Sequence, residues 1–229
     1  MPALPTSLWS SVARKALMAV TGLALIGFLV VHLAGNLLLL KGDADAFNLY
    51  SHFYAELGNL LYVIEAGLVA FFLIHIISGV TVWLGKRKAR PVGYAKVANA
   101  GNPSRKTFSS VSMIYTGILV GVFLVVHIAS LKYGPHYTTT IDGVEMRDLY
   151  KLVIEVFTTP AWVAFYVIIM ALLGFHLRHG FWSAFQSLGA LQPRLSGLIY
   201  AIGLLVAFIF AFGFIIIPLW IFIVERGGV

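Results

Sequence analysis

The sequence predicts an all-α integral membrane protein with five transmembrane helices in a single domain that covers residues 1–229. Composition is the first observation behind this prediction, because 60% of the residues are hydrophobic and 11% are charged, with a mean hydropathy of +0.92. Soluble domains are nearer half apolar and a quarter charged. The second observation is that the apolar residues fall in long runs. Each run is close to or longer than the about 20 residues that a helix needs to cross the hydrocarbon of a bilayer.

Five such runs follow one another along the chain, at about 14–40, 57–85, 108–132, 160–186 and 196–224. The first begins after two basic residues, as a signal peptide does, but it is longer than the about 7–15 apolar residues of a signal-peptide core. We therefore expect it to remain as the first span. The chain has no cysteine, which excludes disulfides, cysteine-ligated iron–sulfur clusters and covalently attached c-type haem.

The charges predict the orientation of the spans. With the N-terminus inside, the inner side receives 11 of the 16 basic residues, namely Arg14, Lys15, Lys86, Arg87, Lys88, Arg90, Lys96, Arg105, Lys106, Arg178 and Arg194. The nine acidic residues fall on the outer side or in the outer half of the membrane. The positive-inside rule then predicts an inner N-terminus and an outer C-terminus. Since this orientation explains the net charge of +7, we expect no nucleic-acid partner. The basic loop at 85–96 is expected to meet lipid headgroups or an acidic soluble partner.

One motif occurs twice. The sequence FLVVH ends at His32 in the first span and at His127 in the third, and a Thr-Gly pair stands 11 residues before each histidine. Both spans are predicted to run from inside to outside. At a rise of about 1.5 Å per residue, His32 lies about 24–27 Å beyond the inner end of its span. His127 is expected to reach the same outer level.

The second and fourth spans run the other way, and each carries a histidine in its inner half. His75 lies 11 residues before Lys86, roughly 16 Å from the inner end of its span, and His176 also lies in the inner half. Each is followed four residues later by a glycine, Gly79 or Gly180. A glycine at this spacing lies on the same helix face and leaves room for a flat, wide group.

Two histidines at one depth on separate helices are the ligand set of a bis-histidine haem, in which each imidazole donates one ring nitrogen to the iron. Because both axial positions are filled, such a haem suits electron transfer rather than oxygen chemistry. Levels that differ by about 10 Å would stack two haems inside a bundle of four helices. One alternative is that the histidines only pack and hydrogen-bond between helices. Another is a transporter that relays protons or ions through the histidines and Glu65, although a relay would favour polar residues at intermediate depths.

Three stretches carry a resemblance to a known family: SSVARKALMAVTGLALIGFLVVHLAGNLLLL, EAGLVAFFLIHIISG and GFHLRHGFWSAFQSLG. They resemble the dihaem cytochrome b membrane anchor of succinate dehydrogenases and fumarate reductases, most closely the bacterial single-anchor, five-helix type. The resemblance covers nearly the whole chain. It implies two b haems, with His32 and His127 on the distal haem and His75 and His176 on the proximal haem. A cytochrome b of another quinone-linked dehydrogenase, such as a formate dehydrogenase or hydrogenase, is the related alternative.

The family also implies partners and a location. A flavoprotein and an iron–sulfur protein would dock on the cytoplasmic face of a bacterial inner membrane, and electrons would exchange with a membrane quinone, often menaquinone. The chain would act as the non-flavin subunit, with no dicarboxylate chemistry and no catalytic residue of its own, and the complex could form a higher oligomer. Its haem propionates have six candidate partners on the inner side, namely Arg178, His179, Arg14, Lys15, Lys86 and Arg87. For Arg178 the alternative is a side chain that extends to the membrane interface.

The quinone site has its candidates on the outer side. Glu65 is the best intramembrane carboxylate, 10 residues before His75, and the resembling family branch tends to carry a glutamate at that spacing. The other candidates follow the first span, namely Asn48, His52, Tyr54 and Glu56. The alternatives are a pairing with a polar group on a neighbouring helix for Glu65 and a solvated or helix-N-terminal charge for Glu56. Some relatives carry an acidic residue two positions before the fourth-span ligand. That position here is Gly174, so a transmembrane proton route of that type is not expected.

Overall fold

The structure is a computed structural model that describes residues 10–89, 92 and 107–227. In this part of the chain, five helices are long and apolar enough to cross a membrane, namely Ser11–Lys41, Asn59–Ala89, Phe108–Lys132, Pro160–Ser187 and Ser196–Glu225. The prediction of five spans is confirmed, and the largest boundary difference is at the end of the second span, which reaches Ala89 rather than residue 85. The predicted inner-side basic residues Arg90, Lys96, Arg105 and Lys106 lie outside the described residues.

The spans contain or adjoin shorter elements. In chain order the helices are α1 (Ser11–Asn36), α2 (Ala44–Ala55), α3 (Asn59–Ala89), α4 (Phe108–His127), α5 (Leu149–Phe157), α6 (Pro160–Ser187) and α7 (Ser196–Gly227). A 3-10 turn at Leu37–Lys41 extends α1, and a π-helical turn at Ile128–Lys132 extends α4. The strands β1 (Thr138–Ile141) and β2 (Val144–Arg147) form an antiparallel hairpin. We call the end of the bundle where α1 begins the N side, and the opposite end, where α3 begins, the C side.

The helix starts are specified locally. The Ser10 hydroxyl accepts a hydrogen bond from the Ala13 backbone N–H and so caps α1. At the start of α4, Thr107 and Ser110 form a reciprocal capping box. Because the first backbone N–H groups of a helix have no partner within it, such caps determine where the helix begins.

Four helices surround the histidines. α1 packs against α3 and α6, and α4 packs against α6, whereas α3 and α4 touch only weakly. α7 packs on the outside of α6. At this contact a Cβ added to Gly174 would lie 2.8 Å from the Cβ of Ala211, so the position that is acidic in some relatives is closed here by the approach of α7.

The C side carries a cap that the prediction of an all-helical chain missed. The hairpin turns at Asp142 and Gly143, both with positive φ (52° and 79°), and an Asp-Gly pair of this conformation is the favoured two-residue hairpin turn. α2 and α5 lie beside it, joined through Asn48, which is 1% exposed. Its side chain donates to Asp148 Oδ1 and accepts from the backbone N–H of Tyr150, both at 2.9 Å. Asn48, which the sequence predicted as a quinone residue, therefore links α2 to the start of α5 in this cap.

Candidate functional site

The four histidines of the spans meet in two pairs, each joining two helices. The C-side pair is His32 of α1 and His127 of α4, with ring centroids 5.8 Å apart and ring planes at 85°. The N-side pair is His75 of α3 and His176 of α6, with centroids 6.3 Å apart and planes at 69°. The structure thus brings together the same partners that the depth comparison paired.

The two pairs lie at different depths. The Thr21 hydroxyl on α1 is 3.5 Å from Nδ1 of His75, so the N-side pair lies level with a residue 11 positions before His32. On α4 the Thr116 hydroxyl is 3.3 Å from Nδ1 of His176. Thr116 stands 11 positions before His127. Eleven residues correspond to about 16 Å of helix. The separation is therefore larger than the expected 10 Å, because the histidines of α3 and α6 lie deeper toward the N side.

The Thr-Gly pairs surround the N-side histidines rather than the histidines of their own helices. A Cβ added to Gly22 would lie 3.0 Å from Cε1 of His75, and one added to Gly117 would lie 3.2 Å from Cε1 of His176. Glycine at these two positions lets an imidazole of the neighbouring helix reach the helix surface. The glycines expected to leave room do not meet an imidazole: an added Cβ at Gly180 would meet nothing within 4 Å, which agrees with that expectation, and one at Gly79 would lie 3.7 Å from the sulfur of Met18.

Backbone carbonyls orient the N-side imidazoles. The Met18 carbonyl lies 3.0 Å from Nδ1 of His75, and the Met113 carbonyl is also hydrogen-bonded to His176. A carbonyl oxygen only accepts, so Nδ1 of His75 carries the hydrogen and Nε2 keeps a lone pair available for a metal. The sequence reasoning missed both methionines. A signal was present, because each stands 14 residues before the histidine of an FLVVH motif.

Aromatic rings hold the C-side histidines. Phe28, the first residue of the first FLVVH motif, stacks on His32 with centroids 5.3 Å apart, and Phe123 of the second motif stacks on His127 at the same distance. The hydroxyl of the buried Tyr166 is 3.1 Å from Nδ1 of His127. Sequence reasoning missed Tyr166 as well, although it precedes His176 by 10 residues, the offset that separates Glu65 from His75.

Both pairs fit a bis-histidine haem. Two metal–nitrogen bonds of about 2 Å in line, together with the radii of two imidazole rings, separate the ring centroids by about 6 Å, as observed. Among the described residues no group of three or more His, Cys, Asp and Glu side chains could hold a bare metal ion. Each level thus offers two imidazole rings from separate helices.

No protein-family model, curated protein or solved structure matches this chain. Its function is therefore inferred from the histidine geometry and from the motifs that carry the resemblance described above. Those motifs lie on α1, α3 and α6, which contribute three of the four paired histidines.

Basic side chains lie at the N-side end of the bundle, some of them partly buried and others exposed. Arg178 donates from Nη2 to the Tyr200 hydroxyl of α7 at 2.8 Å, rather than extending freely into the interface. Its Nε and that of Arg14 are buried and have no hydrogen-bond partner within the described residues. His179 lies 6.2 Å from the Trp182 ring. Three other propionate candidates are exposed: Lys15, Lys86 and Arg87.

The quinone candidates do not converge on one point. Glu65 forms an ion pair with Lys132 at the end of the π-helical turn, which is the alternative expected for it. His52 lies 3.4 Å from the Glu56 carboxylate one helical turn away, and Glu56 is 68% exposed. The Tyr54 hydroxyl pairs with the Tyr50 hydroxyl at 3.1 Å, and Asn48 points into the cap. Among these candidates Glu65 is the one held within a membrane span.

Proposed function

We propose that this chain is the membrane anchor and electron-transfer subunit of a succinate:quinone oxidoreductase. It passes electrons through two b haems between an iron–sulfur subunit and a membrane quinone, with menaquinone as the favoured quinone. The observation that carries the proposal is the pairing of four histidines from four helices at two depths, with centroid distances of 5.8 and 6.3 Å. The resemblance of the α1, α3 and α6 motifs supports the choice of this enzyme class over another quinone-linked dehydrogenase.

A haem held by two imidazoles supplies one-electron transfer without an open coordination position. The residues of this chain would prepare that site before any haem arrives. The Met18 carbonyl holds the proton of His75 on Nδ1, so that Nε2 would be available to bind the iron, and Tyr166 orients His127. The stacked phenylalanines restrict both C-side imidazoles. Two levels about 16 Å apart cover about half of the roughly 30 Å of hydrocarbon that electrons must cross.

The charged N side supports the assignment of the remaining roles. Arg178 and Arg14 are the best propionate partners, because both are partly buried and each has a buried Nε without a partner among the described residues. The exposed basic residues Lys86 and Arg87 at the end of α3 would face the flavoprotein and iron–sulfur subunits. The N side would then be the cytoplasmic face of a bacterial inner membrane, in agreement with the positive-inside rule.

A proton or ion relay is the competing function from a different class. It would need polar groups between the two histidine levels. The residues of α1 from Gly22 to Val31, which connect these levels, are all glycine or hydrophobic. Two haems can be separated by such an apolar interval, whereas a proton or ion relay would be interrupted by it.

A reduced-minus-oxidised visible spectrum of the purified chain, with the haem quantified as its pyridine haemochrome, tests the proposal. We expect about two non-covalent b haems per chain, one for each imidazole pair. Reduction of this haem by succinate in the complex isolated with its partner subunits would support the assignment to this enzyme class. Protein isolated with its partners intact but without haem would refute the dihaem mechanism.

A further inference from the structure

The imidazoles of the N-side pair each have a main-chain acceptor for a hydrogen on Nδ1. That acceptor is the Met18 carbonyl for His75 and the Met113 carbonyl for His176. A threonine hydroxyl also lies at hydrogen-bonding distance from each of these Nδ1 atoms. Because the carbonyls belong to the backbone, no single side-chain substitution removes every acceptor of an N-side imidazole.

The C-side pair depends on one side chain instead. Among the described residues, the hydroxyl of Tyr166 is the single hydrogen-bonding partner of the His127 ring, at 3.1 Å from Nδ1. The His32 ring lies 5.3 and 5.8 Å from the rings of Phe28 and Phe214, measured between centroids. It has no hydrogen-bonding partner in the same part of the chain. One phenol hydroxyl therefore supplies all the hydrogen bonding that the two C-side rings receive there.

We propose that Tyr166 is a positioning residue of the C-side metal site. It holds the hydrogen of His127 on Nδ1 and, through this hydrogen bond, lowers the redox potential of the C-side haem. The inference rests on the proposed function and deepens it, because it assigns the control of one of the two haems to a single side chain.

Only one direction of this hydrogen bond is compatible with metal binding. A neutral imidazole carries its hydrogen on one ring nitrogen and a lone pair on the other. If the Tyr166 hydroxyl donated to Nδ1, the hydrogen of His127 would be on Nε2 and neither nitrogen would have a lone pair available for iron. The Tyr166 oxygen therefore accepts from Nδ1–H. Such a bond makes the imidazole a more basic ligand. Because ferric iron carries the higher charge, a more basic ligand stabilises it more than ferrous iron and the potential falls.

The Tyr166 ring is packed tightly enough to keep its hydroxyl in place. Its side chain is 5% exposed. It meets the rings of Phe123, Phe157 and Phe165 edge to face, with centroids 5.0, 4.8 and 5.9 Å away, which is a preferred arrangement of aromatic pairs. Phe123 also stacks on His127 at 5.3 Å. The same phenylalanine thus fixes both the donor ring and the acceptor ring of the hydrogen bond.

Tyr166→Phe tests the proposal, since it removes the hydroxyl and keeps the ring. In a redox titration that resolves the two haems, we expect the C-side potential to rise and the N-side potential to stay unchanged. The C-side haem is assigned by its loss in His127→Ala. At a fixed potential the ratio of ferrous to ferric C-side haem should rise up to about tenfold, as expected for the loss of one hydrogen bond. This change corresponds to about 59 mV for a one-electron couple. The affinity for the C-side haem should also fall, since the loss of such an outer partner typically costs about 10–100-fold.

Tyr137→Phe is the matched control. It also removes a phenol hydroxyl on the C side, one that donates to Glu155 Oε2 at 2.8 Å, and it should change neither potential. A C-side potential that stays unchanged or falls in Tyr166→Phe, or that rises equally in the control, would overturn the proposal. Loss of haem without a shift in the potential of the haem that remains would mean that Tyr166 only supports the fold.

The position of the hydrogen on His127 can be measured without haem. In the full-length chain with isotopically labelled histidine and no bound haem, the nitrogen chemical shifts distinguish Nδ1–H from Nε2–H, and His127→Ala assigns the signal. We expect Nδ1–H in the wild-type chain and a mixture of both forms in Tyr166→Phe. A wild-type His127 with its hydrogen on Nε2, or an unchanged form in the variant, would contradict the role of Tyr166. A chain that shows the expected tautomers but binds no haem would refute the proposed function and retain this role. Two haems whose potentials and tautomer do not respond to Tyr166→Phe would do the opposite.

Discussion

The close approach of α1 to His75 makes Gly22→Ala a stringent test of the N-side pair. A Cβ at this position would lie 3.0 Å from Cε1 and 3.3 Å from Nδ1 of the imidazole. Carbon–carbon contacts are most favourable at about 3.5–4.0 Å. The imidazole must therefore retreat by about half an ångström or more, or α1 and α3 must separate by as much.

That displacement is comparable with the tolerance of a metal site, whose ligands must be held within about 0.5 Å of their working geometry. We therefore expect Gly22→Ala to lower the occupancy of the N-side haem selectively. This loss of haem is opposite to what helix propensity alone predicts for Gly22→Ala, because alanine is more favourable than glycine in a helix interior by about 1 kcal/mol. A weakened α1 could not account for the loss.

The assay is haem quantitation together with a redox titration that resolves the two haems by their potentials. The haem count should fall from about two per chain toward about one, with the C-side haem retained. Gly27→Ala is the matched control, since it lies on the same helix and an added Cβ would meet nothing within 4 Å.

Two results would refute this reasoning. One is a Gly22→Ala protein that keeps both haems with unchanged potentials, which would mean that His75 does not depend on this contact. The other is an equal loss of haem in Gly27→Ala, which would indicate a general effect of alanine in α1.

Three further predictions concern the C side. His32→Ala or His127→Ala should remove the C-side haem and leave the N-side haem at least partly bound, and loss of the N-side haem alone would contradict the pairing; the resolved redox titration measures both. Asn48→Ala should lower the free energy of unfolding by about 1–3 kcal/mol, because it leaves the partners of two hydrogen bonds unsatisfied. Thermal unfolding followed by circular dichroism measures this change, and an unchanged stability would argue against the structural role of Asn48. Burial and the hydrogen bond with Tyr54 raise the pKa of Tyr50 to about 12. Because the folded chain holds this proton more tightly than the unfolded chain, its contribution to stability is lost as the pH rises from about 10 toward 12. The difference in absorbance titration between the wild-type chain and Tyr50→Phe should show one tyrosine that ionises near that upper value, and an ionisation near pH 10 would contradict it.

The membrane spans and the depth of the histidines could be predicted from the sequence. A helix in hydrocarbon must satisfy its own backbone hydrogen bonds, so the length and apolarity of each run are sufficient to identify it. A fixed rise per residue then converts sequence position into depth, which is why His32 could be matched with His127 before any contact was known. The predicted distance between the two histidine levels was less accurate, because it depends on how far one helix is shifted along its neighbour.

The side-chain partners could not be predicted, and the Thr-Gly pairs show why. They stand 11 residues before the histidine of their own helix, and nothing in that spacing indicates that Gly22 and Gly117 receive imidazoles from α3 and α6. In lipid most faces of a span are apolar, so hydropathy does not indicate which face turns toward which neighbour. The same limit applied to Glu65, where the sequence left open whether it meets a quinone or a partner on another helix.

The sequence by itself determined five membrane-spanning helices and four histidines at two depths, since both follow from helix length and rise alone. Only the tertiary structure decided which neighbouring groups orient the imidazoles and that Asn48 ties α5 to α2. These features depend on the lateral order and rotation of the helices. In this chain they result from close contacts at small residues and from a few polar side chains, such as Tyr166, whose partners are distant in the sequence.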